Sequence, residues 1–173
     1  MPRAEGLSYT EFAPPSGLAE IVARYWCVVA PETLPAGHIH RVLPDGCVDL
    51  IVVGRGEGFL TLRGPRDTPL DVTVAPGDRF WAARLWPDVG GRLLGVTAKS
   101  LRDLQAPVAS FVGAEADRLA RKIMLAGDGW REEFDAWLTA RAGGLSPMDA
   151  EVRLVLVAQH AANGALSAGE LAE

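Results

Sequence analysis

Histidines and acidic residues in the first half of the chain have a spacing that could bind metal. His38 and His40 stand two residues apart, so on a β-strand both imidazoles point to the same face. A metal site needs a further ligand, and the only other histidine is His160. Asp45 or Cys47 could complete the set, but that combination is unusual for a metal site. We therefore expect no metal or other cofactor, and two half-exposed histidines near the start of a strand.

Asp49 is a carboxylate in an otherwise apolar stretch that runs from Cys47 to Val53. Both alternating faces of this stretch are hydrophobic, so Asp49 is expected to be buried and must be ion-paired or hydrogen-bonded. Two interpretations stay open: a structural Asp–Arg pair that fixes strand register, which is favoured, and a polar anchor for a ligand. The arginines that could reach Asp49 from predicted strands are Arg24, Arg41, Arg63 and Arg84.

Three of the five tryptophans, Trp26, Trp81 and Trp86, fall on predicted strands and could line an apolar pocket. By alternation, Arg24 shares a face with Trp26, and Arg84 shares a face with Trp86. An arginine beside a tryptophan suits an anionic or planar ligand, and equally suits a surface arginine that lies over a ring. The candidate ligand-binding residues are Trp26, His40, Asp49, Arg63, Trp81, Arg84 and Trp86.

Nucleophilic and redox chemistry find little support in the sequence. Cys27 and Cys47 could form a redox pair only if their predicted strands are neighbours, and buried free thiols are the favoured interpretation. There is no Gly-x-Ser-x-Gly motif. The glycine-rich run from Gly54 to Gly58 lies between strands and lacks the Lys-Ser/Thr of a phosphate-binding loop. We therefore predict no catalytic residues and no enzymatic activity.

The elements that must position these residues change in type near residue 97. Before it, short β-branched and aromatic runs alternate with Gly/Pro turns, without intervening helices. This pattern favours an antiparallel barrel or sandwich over a parallel sheet. The predicted strands cover residues 21–29, 38–43, 47–53, 59–63, 70–74 and 79–86.

After residue 97, apolar residues recur at helical spacing. We predict a short helix that Thr97 caps and Pro107 stops, a second helix with Leu119 and Ile123 on its apolar side, and a third that ends at Gly143. The apolar side of the third helix contains Trp130, Phe134, Trp137 and Leu138. The fold class expected is therefore α+β, with the antiparallel β part first and a helical segment after it.

The last thirty residues resemble the opening of a further unit. A fourth helix is predicted from the N-cap Ser146 to Asn163. Ser167 and Glu170 then form a capping box, with about one helical turn before the last residue. Because an isolated turn does not persist, we expect a domain that begins here and continues beyond residue 173.

Residues 20 to 142 resemble the N-terminal sensor domain of AraC/XylS-type transcription regulators. The most specific match is Leu-Pro-Asp-Gly-Cys-Val-Asp-Leu-Ile at residues 43–51, supported by Tyr25-Trp26 and by Arg-Leu-Trp-Pro at residues 84–87. The resemblance implies a cupin-like β-barrel over residues 1–96 and supporting helices over residues 97–144. It also implies that residues 145–173 open a helix-turn-helix DNA-binding domain whose DNA-reading helices lie beyond this chain.

The same resemblance implies a bacterial, cytoplasmic homodimer whose barrel binds a small-molecule effector of unknown identity. DNA would be bound only through the missing helices, which agrees with a net charge of −5 that does not attract phosphate backbones. No stretch approaches the roughly 20 apolar residues of a membrane span. Two alternatives stay open: a small metal-dependent cupin-type enzyme that uses His38 and His40, and a structural interaction domain with a filled barrel.

Overall fold

The computed structural model describes residues 6–143 and residue 145. This part of the chain contains eight strands and four α-helices. All four helices follow the seventh strand, and the eighth strand lies between the first two helices. The strands are β1 Ser8–Phe12, β2 Val22–Val29, β3 His38–Val42, β4 Val48–Val53, β5 Phe59–Arg63, β6 Leu70–Val74, β7 Arg79–Leu85 and β8 Gln105–Pro107. The α-helices are α1 Pro87–Leu94, α2 Ala109–Val112, α3 Glu115–Leu125 and α4 Trp130–Ala142.

The strands form two antiparallel sheets. The larger sheet has the order β1-β2-β7-β4-β5-β8, and β3 pairs with β6 in a two-stranded sheet. Val72 and Val74 of the small sheet pack with Phe80 of the large sheet, in a cluster that also contains Ala30 and Leu34. The two sheets therefore face each other, and the expected α+β fold with an antiparallel sandwich before the helices is confirmed.

The opposite face of the larger sheet packs against α3 and α4. The buried positions of α3 follow helical spacing, so one side of this helix is apolar. Burying a large apolar side chain contributes about 1.5–3 kcal/mol, and this layer forms the main core. The sheet supplies Tyr25, Leu50, Leu62 and Leu85, and the helices supply Leu119, Ile123, Phe134 and Leu138.

The change from strands to helices is less sharp at residue 97 than expected, because α1 precedes this residue and β8 follows it. Two glycines weaken the helical signal of α1, yet close packing requires them. A Cβ atom on Gly90 would lie 2.8 Å from the Val48 side chain, and one on Gly91 would lie 2.7 Å from the Val96 carbonyl oxygen. Strands β1 and β8 were not predicted from the sequence. β1 is a largely exposed edge strand, and β8 is a three-residue segment that contains Pro107.

The helices expected after residue 97 are confirmed in part. Thr97 does cap a turn, accepting a hydrogen bond from the Ser100 amide at 3.3 Å, but the turn is a 3₁₀ helix over Ala98–Leu101. The second and third predicted helices are α3 and α4. The predicted fourth helix, the capping box and the start of a helix-turn-helix domain fall on residues 146–173, outside the described residues.

Candidate functional site

The strand register brings four candidate residues to the small-sheet side of the larger sheet. Asp49 on β4 lies opposite Arg84 on β7 and, on its other side, opposite Arg63 on β5. Trp26 on β2 lies opposite Ala82, two residues before Arg84. Since side chains alternate with a period of two, all four residues share one face. We call Trp26, Asp45, Asp49, Arg63 and Arg84 the inter-sheet cluster.

Asp49 is the centre of the hydrogen bonds in this cluster. Its Oδ1 accepts from the Trp26 indole Nε1 at 3.0 Å and from Arg84 Nε at 3.1 Å. Arg84 Nη2 lies 3.4 Å from Asp49 Oδ2 and 3.1 Å from Asp45 Oδ2. The side chains of Asp49 and Arg84 are each only 12% exposed. The expected structural Asp–Arg pair is thus confirmed, and Arg84 is the partner.

Two carboxylates hold the charge of Arg84 in a buried position. Burial by itself would lower the pKa of this guanidinium, but the charges of Asp49 and Asp45 outweigh it and raise the pKa above its ordinary value. Asp45 is fixed by the turn that precedes β4, where its Oδ1 accepts a hydrogen bond from the Cys47 amide at 3.0 Å. Gly46 occupies the left-handed region in this turn, with φ of 70°.

Arg63 has no such partner. Its Nε is buried and donates no hydrogen bond to any of the described residues. Burial lowers the pKa of Arg63, the charge of Asp49 opposes that shift, and the nearby charge of Arg66 adds to it. Arg63 is therefore a cation placed between the sheets with incomplete compensation from the protein itself.

His40 belongs to the small sheet and faces the cluster. It pairs in register with Val72, while its neighbour Ile39 is 53% exposed on the outer face. Burial lowers the pKa of His40, and the charges of His38 and Arg63 lower it further. His40 therefore lies on the inter-sheet side of the small sheet, where the charge of Arg63 acts on it.

A small cavity opens between the sheets next to Asp49 and Arg63. Its volume is about 30 Å³, enough for one or two waters or for a group of a few atoms. The exposed residues Leu43 and Thr68 lie at its rim. The remaining lining residues are Val42, Pro44, Asp45, Cys47, Asp49, Arg63, Gly64, Arg66 and Leu70.

The expected trio of strand tryptophans does not line one pocket. Trp81 lies opposite Cys27 and Val52, on the face of the sheet that packs against the helices. Trp86 lies past the end of β7, where its Nε1 donates to the Ala19 carbonyl oxygen at 3.0 Å. The shared pocket is wrong because strand alternation alone does not say which face of each strand packs against the helices. Only Trp26 joins the inter-sheet cluster.

The two cysteines do not form a redox pair in the structure. Both are free, and β7 separates their strands in the larger sheet. Cys27 lies at the level of Val52, at the far end of β4 from Cys47. Burial raises the pKa of both thiols, which disfavours the thiolate that redox chemistry requires.

The histidine pair does not gain the ligands of a metal site within residues 6–143. No group of three or more His, Cys, Asp or Glu side chains is placed there so that it could hold a metal ion. His38 shares its face with His40, and its Nε2 is buried without a hydrogen-bond partner among those residues. His160 lies outside the described residues.

Sequence reasoning missed Arg66 and Thr68, which line the cavity from the loop between β5 and β6. It considered Asp45 only as a metal ligand, whereas the structure uses it to bind Arg84. The signal for Asp45 was present, because Pro44-Asp45-Gly46 is a turn sequence in which the aspartate bonds the backbone two residues on. No local signal marks Arg66, since its role depends on how the loop folds back.

A family model for a domain of unknown function, DUF6597, matches residues 10–107, more than half of the chain. The chain belongs to this family. The DUF6597 match ends where β8 ends, so it covers the two sheets, except for the first two residues of β1, and the whole inter-sheet cluster. No curated protein and no solved structure matches the chain. Within the described ranges, no helix has the length and apolar character needed to cross a membrane.

Proposed function

We propose that this DUF6597 chain is the ligand-sensing domain of a bacterial AraC-type transcription regulator, with no enzymatic activity of its own. One observation carries the proposal. The segment that most specifically resembles such regulators, residues 43–51, supplies both the centre of the inter-sheet cluster and one wall of the cavity. The two aspartates of this segment, Asp45 and Asp49, form part of a polar site between the two sheets, which strand formation alone would not require.

The position of the site suggests how binding acts on the rest of the protein. The cavity is lined from the β3–β4 connection and from the β5–β6 connection, which lead into and out of the small sheet. A ligand that contacts both walls favours one arrangement of the two sheets. It can shift the equilibrium only by its difference in affinity between the arrangements.

The resemblance supplies the remainder of the proposal. The effector is a small molecule, the protein acts in the cytoplasm as a homodimer, and DNA is bound through residues beyond this chain. The metal-dependent enzyme that the histidine pair suggested is favoured by no observation, because the hydrogen bonds of the inter-sheet cluster join Arg84 and an indole to carboxylates. An Asp–Arg pair of this kind fixes geometry rather than activating a nucleophile.

Thermal unfolding in the presence of small metabolites tests the proposal. A ligand at about 100 times its Kd stabilises the native state by about 2.7 kcal/mol, which raises the melting midpoint by several degrees. Hits are confirmed by isothermal titration calorimetry, with one site per chain expected. The proposal is wrong if no compound from a library of acids, amides, alcohols, sugars and aromatic compounds raises the midpoint or releases heat.

A further inference from the structure

Two arginines that line the cavity have buried donors without acceptors. Arg63 comes from the end of β5, and Arg66 comes from the loop that follows it. The Nε atoms of both are buried, and neither has a hydrogen-bond partner among the described residues. Because a guanidinium stays charged in proteins, two unmet donors at one small cavity are costly unless something else accepts their hydrogen bonds.

The nearby carboxylates do not satisfy these donors. Asp49 already binds Arg84 and Trp26, and Asp45 binds Arg84. Arg66 Nη2 is 3.9 Å from Asp103 Oδ1, which is an ion pair but too long for a hydrogen bond. The unmet need at the cavity is therefore for a hydrogen-bond acceptor, and a carboxylate is the acceptor that guanidinium groups bind most strongly.

The cavity suits one functional group rather than a whole molecule. Its 30 Å³ can hold a planar carboxylate, while the exposed rim at Leu43 and Thr68 leaves the rest of a ligand room outside. Guanidinium groups bind carboxylates through short, charge-assisted hydrogen bonds with a fork geometry. The charges of Asp45 and Asp49 oppose an anion, and Arg84, which lies 3.1 Å from an oxygen of each, offsets one of these two charges.

We propose that Arg63 and Arg66 bind the carboxylate of a small organic acid, which makes the effector an acid; this inference rests on the proposed sensing function. The carboxylate enters between the sheets at the end of β5. It supplies the acceptor that the Nε donors of Arg63 and Arg66 lack, and the carbon skeleton lies against Leu43 at the rim.

Calorimetric titration of the 173-residue chain with matched pairs of compounds tests the inference. The pairs are acetate and acetamide, propionate and propionamide, and benzoate and benzamide, with inorganic phosphate as a separate arm. We expect at least one acid to bind and its amide not to bind. Arg63→Gln and Arg66→Gln should each weaken acid binding about tenfold to a hundredfold, as expected for the loss of a hydrogen bond to a charged group.

Arg41→Gln is the matched control, because Arg41 pairs with Asp71 on the outer face of the small sheet. It should bind the acid as the wild type does. Circular dichroism and the melting midpoint establish that each variant folds. If Arg63→Gln does not fold, Arg66→Gln decides the question, since the Arg66 side chain is 31% exposed and packs less tightly.

The outcomes separate this inference from the proposed function. Equal binding of acid and amide, or unchanged acid binding in both glutamine variants, overturns the carboxylate assignment and leaves a sensor of neutral molecules. Binding of phosphate without any carboxylate overturns the assignment of ligand class. If no compound of the wider metabolite library binds, the sensing function itself is wrong.

Discussion

At the residue scale, Asp49 links the sequence motif to the architecture. It is a carboxylate in a strand that is apolar on both faces, and it is kept there by an indole donor and a guanidinium. A buried charge without such partners would destabilise the fold, so the motif residues and their partners are required together. Asp45 adds a second carboxylate to Arg84, which leaves this arginine bound on two sides.

Asp49→Asn is expected to lower the free energy of unfolding by about 3 kcal/mol, because it removes one member of a buried ion pair and leaves Arg84 less compensated. Urea unfolding followed by tryptophan fluorescence measures the change. Asp71→Asn is the matched control: its ion pair with Arg41 also joins two strands, but at the exposed surface. Equal effects of the two substitutions would contradict the role given to the buried pair.

The ionisation of Asp78 is expected to make the stability of the fold depend on pH. Although burial opposes ionisation, hydrogen bonds from Arg55 and the Ala75 amide hold the pKa of Asp78 below its ordinary value of 3.8. A depressed carboxyl pKa contributes stability that is present above pH 3.8 and is lost as the pH falls through the folded-state pKa.

We therefore expect Asp78→Asn to be less stable than the wild type at pH 7, with a difference that narrows below pH 3.8. Urea unfolding at a series of pH values between neutral and acidic measures both curves. Comparison with the variant removes the contributions of other carboxylates, such as those of Asp67 and Asp71, whose pKa values are also lowered. Parallel curves across this range would disprove the assignment.

At the element scale, close backbone approaches position the loop that carries Arg66. Gly64 follows β5, and its amide donates to the Leu104 carbonyl oxygen at 2.9 Å. A Cβ atom at this position would lie 1.6 Å from the Leu101 carbonyl oxygen, a distance that backbone atoms cannot tolerate. The 3₁₀ turn after Thr97 is thereby packed directly against the end of β5, next to Arg63.

Gly64→Ala should destabilise the protein by about 3 kcal/mol, because the added methyl group must displace backbone rather than a flexible side chain. The melting midpoint and the urea midpoint both report this change. Gly17→Ala provides the control, since nothing lies within 4 Å of a Cβ atom there. Similar stability of the two variants would show that the loop moves freely and does not fix the cavity wall.

At the scale of the whole molecule, the described residues form three layers. The small sheet covers one face of the larger sheet, and α3 and α4 cover the other. The polar site lies between the sheets, whereas the main apolar core lies between sheet and helices. Tyr25 ties α4 to the sheet, with its hydroxyl donating to Asp135 at 2.5 Å. The polar site and the main core are therefore separated by the larger sheet.

The homodimer implied by the resemblance is a prediction at this scale. Sedimentation velocity of the purified chain should give about twice the monomer mass of 18.4 kDa, with a dissociation that depends on concentration. A mass of one chain at every concentration from micromolar upwards would contradict the dimer. It would leave the inter-sheet site unaffected, because all its described residues come from one chain.

The amino-acid sequence was enough to predict six of the eight strands among the described residues, the amphipathic helices α3 and α4, and the need of Asp49 for a partner. These depend on local periodicity and on the cost of burying a charge. It could not choose among the four strand arginines, because alternation assigns a side chain to a face but does not say which strands become neighbours. The tertiary structure paired Arg84 with Asp49, turned Arg41 towards Asp71 at the surface, and left Arg63 beside Arg66 at the cavity.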